Sequence, residues 1–272
     1  MLNTVTDIKI YPQSYYTEGP VIDATGKVYF TNLAGGMIIR MNGEHFSDWA
    51  QSNCPNGQII LPNGDHIICD SRQSALIRFD EEGVFLGKDV DGRCAGEQVK
   101  VPNDLIADKM GNIYFTDSVR HEGKVFFLGA NGEQKVLASG LDYPNGLALS
   151  RDEKRIFVAE SYQNRVIAFE INGSLPLAND CVWVNLPRNP SMKITDNLPD
   201  GIKVDDYGCL WVAHYGMSKI HQFSPSGKLM QSILLPFEFV SNLFIRENTV
   251  VVTGGYNEPG PGAIAKIELT NE

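Results

Sequence analysis

The sequence predicts an all-β chain folded as a six-bladed β-propeller with four-stranded blades, residues 1–272 forming one domain around a central channel. Three observations predict it. Short runs rich in β-branched and aromatic residues recur as KVYFTN, HIICD, NIYFTD, RIFVAE, CLWVAH and TVVVTG, beginning at Lys27, His66, Asn112, Arg155, Cys209 and Thr249. Their intervals of 39, 46, 43, 54 and 40 residues keep a period near 40, the length of one blade. No segment of ten or more residues holds a helical hydrophobic period. A two-sheet sandwich, the competing all-β fold, gives no reason for six repeats of one pattern.

The units follow in order. The leading VTDIKIYP stands before the first unit and is expected to pair with the final AIAKIEL, closing the ring so that no sheet edge is left open. The first unit runs from TEGPVID into KVYFTN, the second from CPNGQIIL into HIICD. In the third, DLIAD and IYFTD flank a KMGN turn, and GKVFFLG and QKVLA flank an ANGE turn. In the fourth, GLALS leads to RIFVAE and RVIAFEI. The fifth is LPDGIKVDDYGCLWVAHYG, and TVVVTG marks the sixth. Gly, Asn and Asp between the runs supply the turns. Asp89–Lys100 and Pro187–Asn197 are insertions ahead of innermost strands, read as rims or lids over one face or as plain surface loops.

Composition narrows the function. The chain carries 23 Lys and Arg against 33 Asp and Glu, a formal charge of -10 with no basic tract. That field repels nucleic acid and anionic membrane but not a divalent cation. No stretch approaches the roughly 18 apolar residues of a membrane span. MLNTVTDIKIYPQS lacks the features of a secretory signal. The five cysteines form no Cys-x-x-Cys pair and read as buried thiols. The expectation is a soluble cytoplasmic protein acting on a small molecule, with no nucleic-acid or membrane partner and with monomer or homo-oligomer left open.

One position in each unit carries an oxygen-bearing side chain: Glu18, Asn56, Asn103, Asn145, Asp200 and, less regularly, Asn242. Their spacings of 38, 47, 42, 55 and 42 track the blade period. Each stands at the head of the strand that lines the channel, so rotation by one blade carries each onto the next and all converge at one end. Asn-Gly and Asp-Gly are also plain turn formers, which accounts for Asn56 and Asn242 but not for Glu18. An all-oxygen cluster with two carboxylates suits one hard divalent cation in the channel, calcium first, with magnesium, manganese or zinc as alternatives.

TEGPVID, VPNDLIAD, YPNGLALS and LPDGIKVDDYGCLWVAHYG resemble signature stretches of the senescence marker protein-30, gluconolactonase and luciferin-regenerating-enzyme family, from about Ser14 to Thr253. The resemblance implies a six-bladed propeller with one channel cation, ligands at Glu18, Asn145 and Asp200, and Asn103 touching substrate or a metal-bound water. It implies hydrolysis of lactones, and related propellers hydrolyse organophosphates and aryl esters. Val101 stands where sugar-lactonase members carry an arginine, which argues against an aldonolactone. Glu160-Ser161 stands where aspartate is frequent.

In the expected reaction Asp200 is ligand and base, Asn103 orients substrate, and Asn56, Tyr143 and His214 complete the substrate contacts. His214 reads as a strand-end histidine before a base. Tyr15, Tyr16, Tyr143 and Tyr215 are candidates for an aromatic rim. The competing functions are attack by Asp200 itself on a phosphotriester, cation-assisted isomerase or lyase chemistry, and a non-catalytic calcium-binding propeller. The sequence holds no Gly-x-Ser-x-Gly elbow, and the Gly35-Gly36 pair lacks a phosphate-loop frame.

Overall fold

The computed structural model describes residues 3–171 and 181–271. It holds six four-stranded antiparallel sheets and one small hairpin, Arg93–Cys94 with Glu97–Gln98. Among the described residues the helical pieces are the 3₁₀ turns Ser161–Gln163 and Ile194–Asp196, and no helix is long and apolar enough to cross a membrane.

Blade 1 pairs Thr17–Ile22, Val28–Asn32, Met37–Asn42 and His45–Gln51 in chain order. The first strands of blades 2 to 6 are Pro55–Ile60, Pro102–Ala107, Pro144–Leu149, Leu198–Val204 and Phe239–Arg246. Each first strand packs against those of both neighbouring blades, so the six make a closed ring around the axis. The expected closure is present. Asn3–Gln13 pairs with Gly262–Asn271, Ile8 opposite Ile267, as the outermost strand of blade 6. Both ends of the chain therefore lie in one sheet, and the ring has no open edge.

The core lies between the blades. Val21, Ile38 and Trp49 of blade 1 meet Ile68, Ile77 and Phe79 of blade 2. Ile67, Cys69 and Leu76 of blade 2 meet Leu105, Phe115 and Phe126 of blade 3. The remaining interfaces repeat this, the last joining Phe30 and Ile39 to Val251 and Ile264. Each sheet is covered on both faces, which is why second strands such as His66–Asp70 and Ile113–Asp117 are buried along their whole length. The insertion expected from Asp89 begins later. Strand Phe85–Asp91 continues through it, held by Arg78, whose guanidinium pairs with Asp89 at 2.9 Å.

Phe115 is fully buried and stacks on Phe126 with centroids 5.0 Å apart. Phe115→Ala is expected to lower the unfolding free energy by about 3–5 kcal/mol. Phe85 is 58% exposed, and Phe85→Ala is expected to cost less than about 1 kcal/mol. Urea titration of the two variants checks the contrast.

Candidate functional site

The head of each first strand is irregular in the same place. Pairing with the second strand shifts register between Glu18 and Val21, Pro55 and Gln58, Pro102 and Leu105, Pro144 and Leu147, Pro199 and Ile202, and Val240 and Asn242. These breaks release the marked residues from the ladder. Glycine then lets neighbouring heads approach. A Cβ on Gly19 would stand 2.3 Å from the Asn56 carbonyl, and one on Gly146 would stand 2.4 Å from the Asp200 carbonyl. Hydroxyls tie the heads of blades 1, 2, 4 and 5 to the blade before them. Thr31 donates to the Asn56 carbonyl at 2.9 Å, Thr116 to that of Asn145 at 2.8 Å, Ser161 to that of Pro199 at 2.7 Å and Ser241 to that of Thr17 at 2.9 Å.

A second set of acids serves the backbone. Asp70 accepts the N–H groups of Asn53 and Cys54, at 2.7 and 3.1 Å. Asp117 accepts those of Lys100 and Val101. Glu160 accepts the N–H of Asp142 at 2.8 Å and pairs with Arg165 at 2.6 Å. Glu160 is therefore a clamp on the loop ahead of blade 4. Val101 also stands off the cavity, half-buried, with its N–H on that Asp117 clamp.

Glu18, Asn56, Asn103, Asn145 and Asp200 line one cavity of about 290 Å³ at the head end of the channel. The sixth position does not join them. Ser241, not Asn242, matches the marked place, and Asn242 occupies the place held by glycine in four blades. From there its Oδ1 accepts the N–H of Leu243 at 2.8 Å, and its amide hydrogen-bonds the Glu18 carboxyl. Gly201 makes room for it, since a Cβ there would meet Asn242 Oδ1 at 2.1 Å.

Tyr16, Tyr143 and Tyr215 form walls as expected, whereas Tyr15 does not line the cavity and packs with Val28, Phe30 and Ile264. Tyr143 is held at φ +63° by hydrogen bonds to Val119 and from Ser161, a strained conformation for an aromatic residue that sets its ring at the mouth. His214 does not line the cavity. It is fully buried in blade 5, its Nδ1 3.1 Å from His221 Nε2, and His221 in turn lies 2.7 Å from Ser232. Burial pushes the His214 imidazole down to about 3, so it stays neutral. It is therefore absent from the cavity lining, where a substrate contact was expected of it, because it lies on the face of its sheet that carries His221. Sequence reading missed Ser161, Tyr162 and Glu258, which do line the cavity. Glu258 accepts a hydrogen bond from the Tyr215 hydroxyl at 3.2 Å.

The electrostatics are unfavourable as they stand. Glu18 is 5% exposed, and burial, with the nearby charge of Asp104 adding to it, pushes its carboxyl up to about 8, although the Gly19 N–H and Asn242 oppose this. Asp200 is pushed well above the carboxylate range by burial, then by Glu18, Asp104 and Glu258. Asn145 donates to Ser161 at 3.3 Å, and the Oδ1 atoms of Asn145 and Asn56 are buried with no hydrogen-bond partner. Below the mouth, Lys203 of blade 5 reaches Asp104 of blade 3 at 3.3 Å. Among the described residues no group of three or more His, Cys, Asp or Glu side chains could hold a metal ion. The set at the mouth is instead two destabilised carboxylates with unpartnered amide oxygens, a donor chemistry that fits a hard cation.

A family model described as the SMP-30/Gluconolactonase/LRE-like region matches residues 16–254. A gluconolactonase of Zymomonas mobilis is 30% identical over 197 residues, 64% of this chain and 52% of its own, so this chain spans about half that relative's length. A solved gluconolactonase of Xanthomonas campestris superposes with a TM-score of 0.82 at 24% identity, covering 99% of this chain and 95% of that one. Regucalcin of Agrobacterium tumefaciens, a calcium-binding protein, superposes with a TM-score of 0.73 at 17% identity, with 100% and 95% covered. At these identities the two structures speak for the fold.

Two outcomes follow from the geometry. A Cβ on Gly146 would also meet the Ile202 nitrogen at 2.5 Å, so Gly146→Ala must part blades 4 and 5 and is expected to cost about 1–3 kcal/mol in urea titration. The Glu18 and Asp200 shifts are both upward, so each carboxyl supports folding while protonated and opposes it once ionised. For Glu18 the contribution is complete below its ordinary 4.5 and lost as pH climbs through about 8. Chelator-treated protein is therefore expected to lose stability between those values, by up to about 1.4 kcal/mol per pH unit for each carboxyl still protonated in the fold. Glu18→Gln flattens that slope in urea midpoints measured against pH.

Proposed function

This chain belongs to the SMP-30/gluconolactonase/LRE-like family, and on that premise we propose that it is a divalent-cation-dependent hydrolase opening a lactone or a related cyclic or aryl ester. The observation that carries the proposal is the meeting of Glu18, Asn145 and Asp200 in one cavity, with two carboxyls held above their ordinary range and the Asn145 Oδ1 left without a partner. These three residues would hold the cation. Oxygen donors favour calcium, and the likeness to a calcium-binding relative agrees with that choice. When bound, such an ion supplies Lewis-acid polarisation of a carbonyl and a lowered pKa for water.

The chain's own groups divide the remaining work. Asp200 takes the proton from the attacking water, because it faces the cavity and is 8% exposed. Asn103 and Asn56, which line the same cavity, would hold the substrate's polar edge, and the Asn56 Oδ1 is an acceptor with no partner. Tyr16, Tyr143 and Tyr215 give the ring of the substrate an apolar wall and keep water from it. Valine at position 101, where sugar-lactonase members of the family carry an arginine, argues against an aldonolactone. The gluconolactonase similarity supports the reaction class and leaves the substrate open.

A panel of lactones, aryl esters and phosphotriesters, assayed after chelation and after calcium repletion, tests this reading. Chelation is expected to abolish turnover and calcium to restore it. Asp200→Asn is expected to lower kcat by about 10²–10⁴-fold, and Glu18→Gln to weaken calcium binding measured by calorimetry. Turnover unchanged by chelation overturns the proposal.

A further inference from the structure

A second cavity, of about 260 Å³, adjoins the mouth. Tyr162 lines both, and the segments that wall one wall the other. Thr195 and Leu198 line the mouth, while Ile194 and Asn197 line the neighbour. Nothing in the hydrolytic reading uses this space.

Its floor holds an unspent acceptor. Asn164 is 9% exposed, and its Nδ2 donates to the carbonyls of Leu186 and Pro187, at 3.3 and 3.2 Å. Those two bonds fix the amide, because the flipped orientation would set its oxygen against two carbonyl oxygens. Its Oδ1 lies buried with no hydrogen-bond partner, so an O–H or N–H donor entering the cavity relieves an unsatisfied group. The outer wall carries Arg188, exposed and with no carboxylate partner among the described residues. Its planar fork suits a carboxylate. Met192 and Ile194, 64% and 52% exposed, line the same cavity and suit an apolar spacer.

We propose that this cavity is a subsite for a carboxylate-ended arm of the substrate, an arm that also carries a hydroxyl or amide donor, with Arg188 holding the carboxylate and Asn164 accepting from the donor. The preferred substrate is then a lactone or ester bearing a short acidic side chain. That substrate assignment rests on the hydrolase reading; occupancy of the cavity does not.

Two measurements keep the readings separate. Glutaramate, with a carboxylate and an amide N–H on a three-carbon chain, is titrated into the full-length protein and into Arg188→Gln, an exposed substitution, and followed by NMR at the Met192 and Ile194 methyls. Saturable binding that weakens about tenfold in the variant is expected. No saturable binding, or equal binding in both proteins, overturns the subsite. In parallel, a γ-lactone whose side chain carries an amide N–H and ends in a carboxylate is compared with its methyl ester. The ratio of their kcat/KM values is expected to favour the acid and to fall about tenfold in Arg188→Gln, with Arg188→Lys between. Hydrolysis without such a ratio refutes the subsite and leaves the hydrolase reading standing. Glutaramate binding in a protein that opens no lactone does the reverse.

Discussion

Two buried carboxyl groups, Glu18 and Asp200, disfavour each other's charge, and the closed ring obliges them to share a cavity. Glycine at the heads brings blades into backbone contact, hydroxyls lock four of the six heads to a neighbour, and interblade cores leave no slack for the heads to part. Packing energy spread over six interfaces holds a local arrangement that would be unfavourable on its own. The site is strained electrostatically because the fold is stable elsewhere.

Much of the fold was legible because repetition multiplies weak signals. One Pro-Asn-Gly is a turn, but the same phrase at a blade period places a first strand, and five marked residues meet where rotation puts them. Asn242 was displaced by one because VSNLF lacks the Pro-x-Gly frame that sets the register in the second, fourth and fifth blades. His214 misled for a related reason. Its proximity to Asp200 in the strand pair is real, Pro199 standing opposite it, yet alternation along a strand decides which neighbour a side chain meets. Tyr162 and Glu258 left no signal. Both sit on loops joining second to third strands, in blades 4 and 6, and those loops reach the mouth only after the ring has closed.

The acids of this chain also sort by what they touch, and composition does not reveal the sorting. Asp70, Asp117 and Glu160 end second strands and accept backbone N–H groups from the loop ahead of their own blade. They are satisfied within the protein and organise the loops that carry Tyr143 and its neighbours. Glu18 and Asp200 are buried too, but much of their solvation has been removed without a matching cation. That contrast, rather than burial alone, separates acids that shape the scaffold from acids available for chemistry.

Lys203 is the test of that distinction, since it is a cation within the channel. Its ammonium lies 3.3 Å from Asp104, in a pair whose side chains are 16% and 2% exposed. An ammonium so placed is committed to Asp104, which Gly57 admits by leaving no Cβ in its way. The pair keeps its own layer near neutral and leaves the charge of the layer above uncompensated. Glu18 and Asp200 are then relieved by holding protons or by a positive ion from solution. Protons supply that relief at Glu18 up to about 8, and above it the two carboxylate charges stand against each other in one cavity.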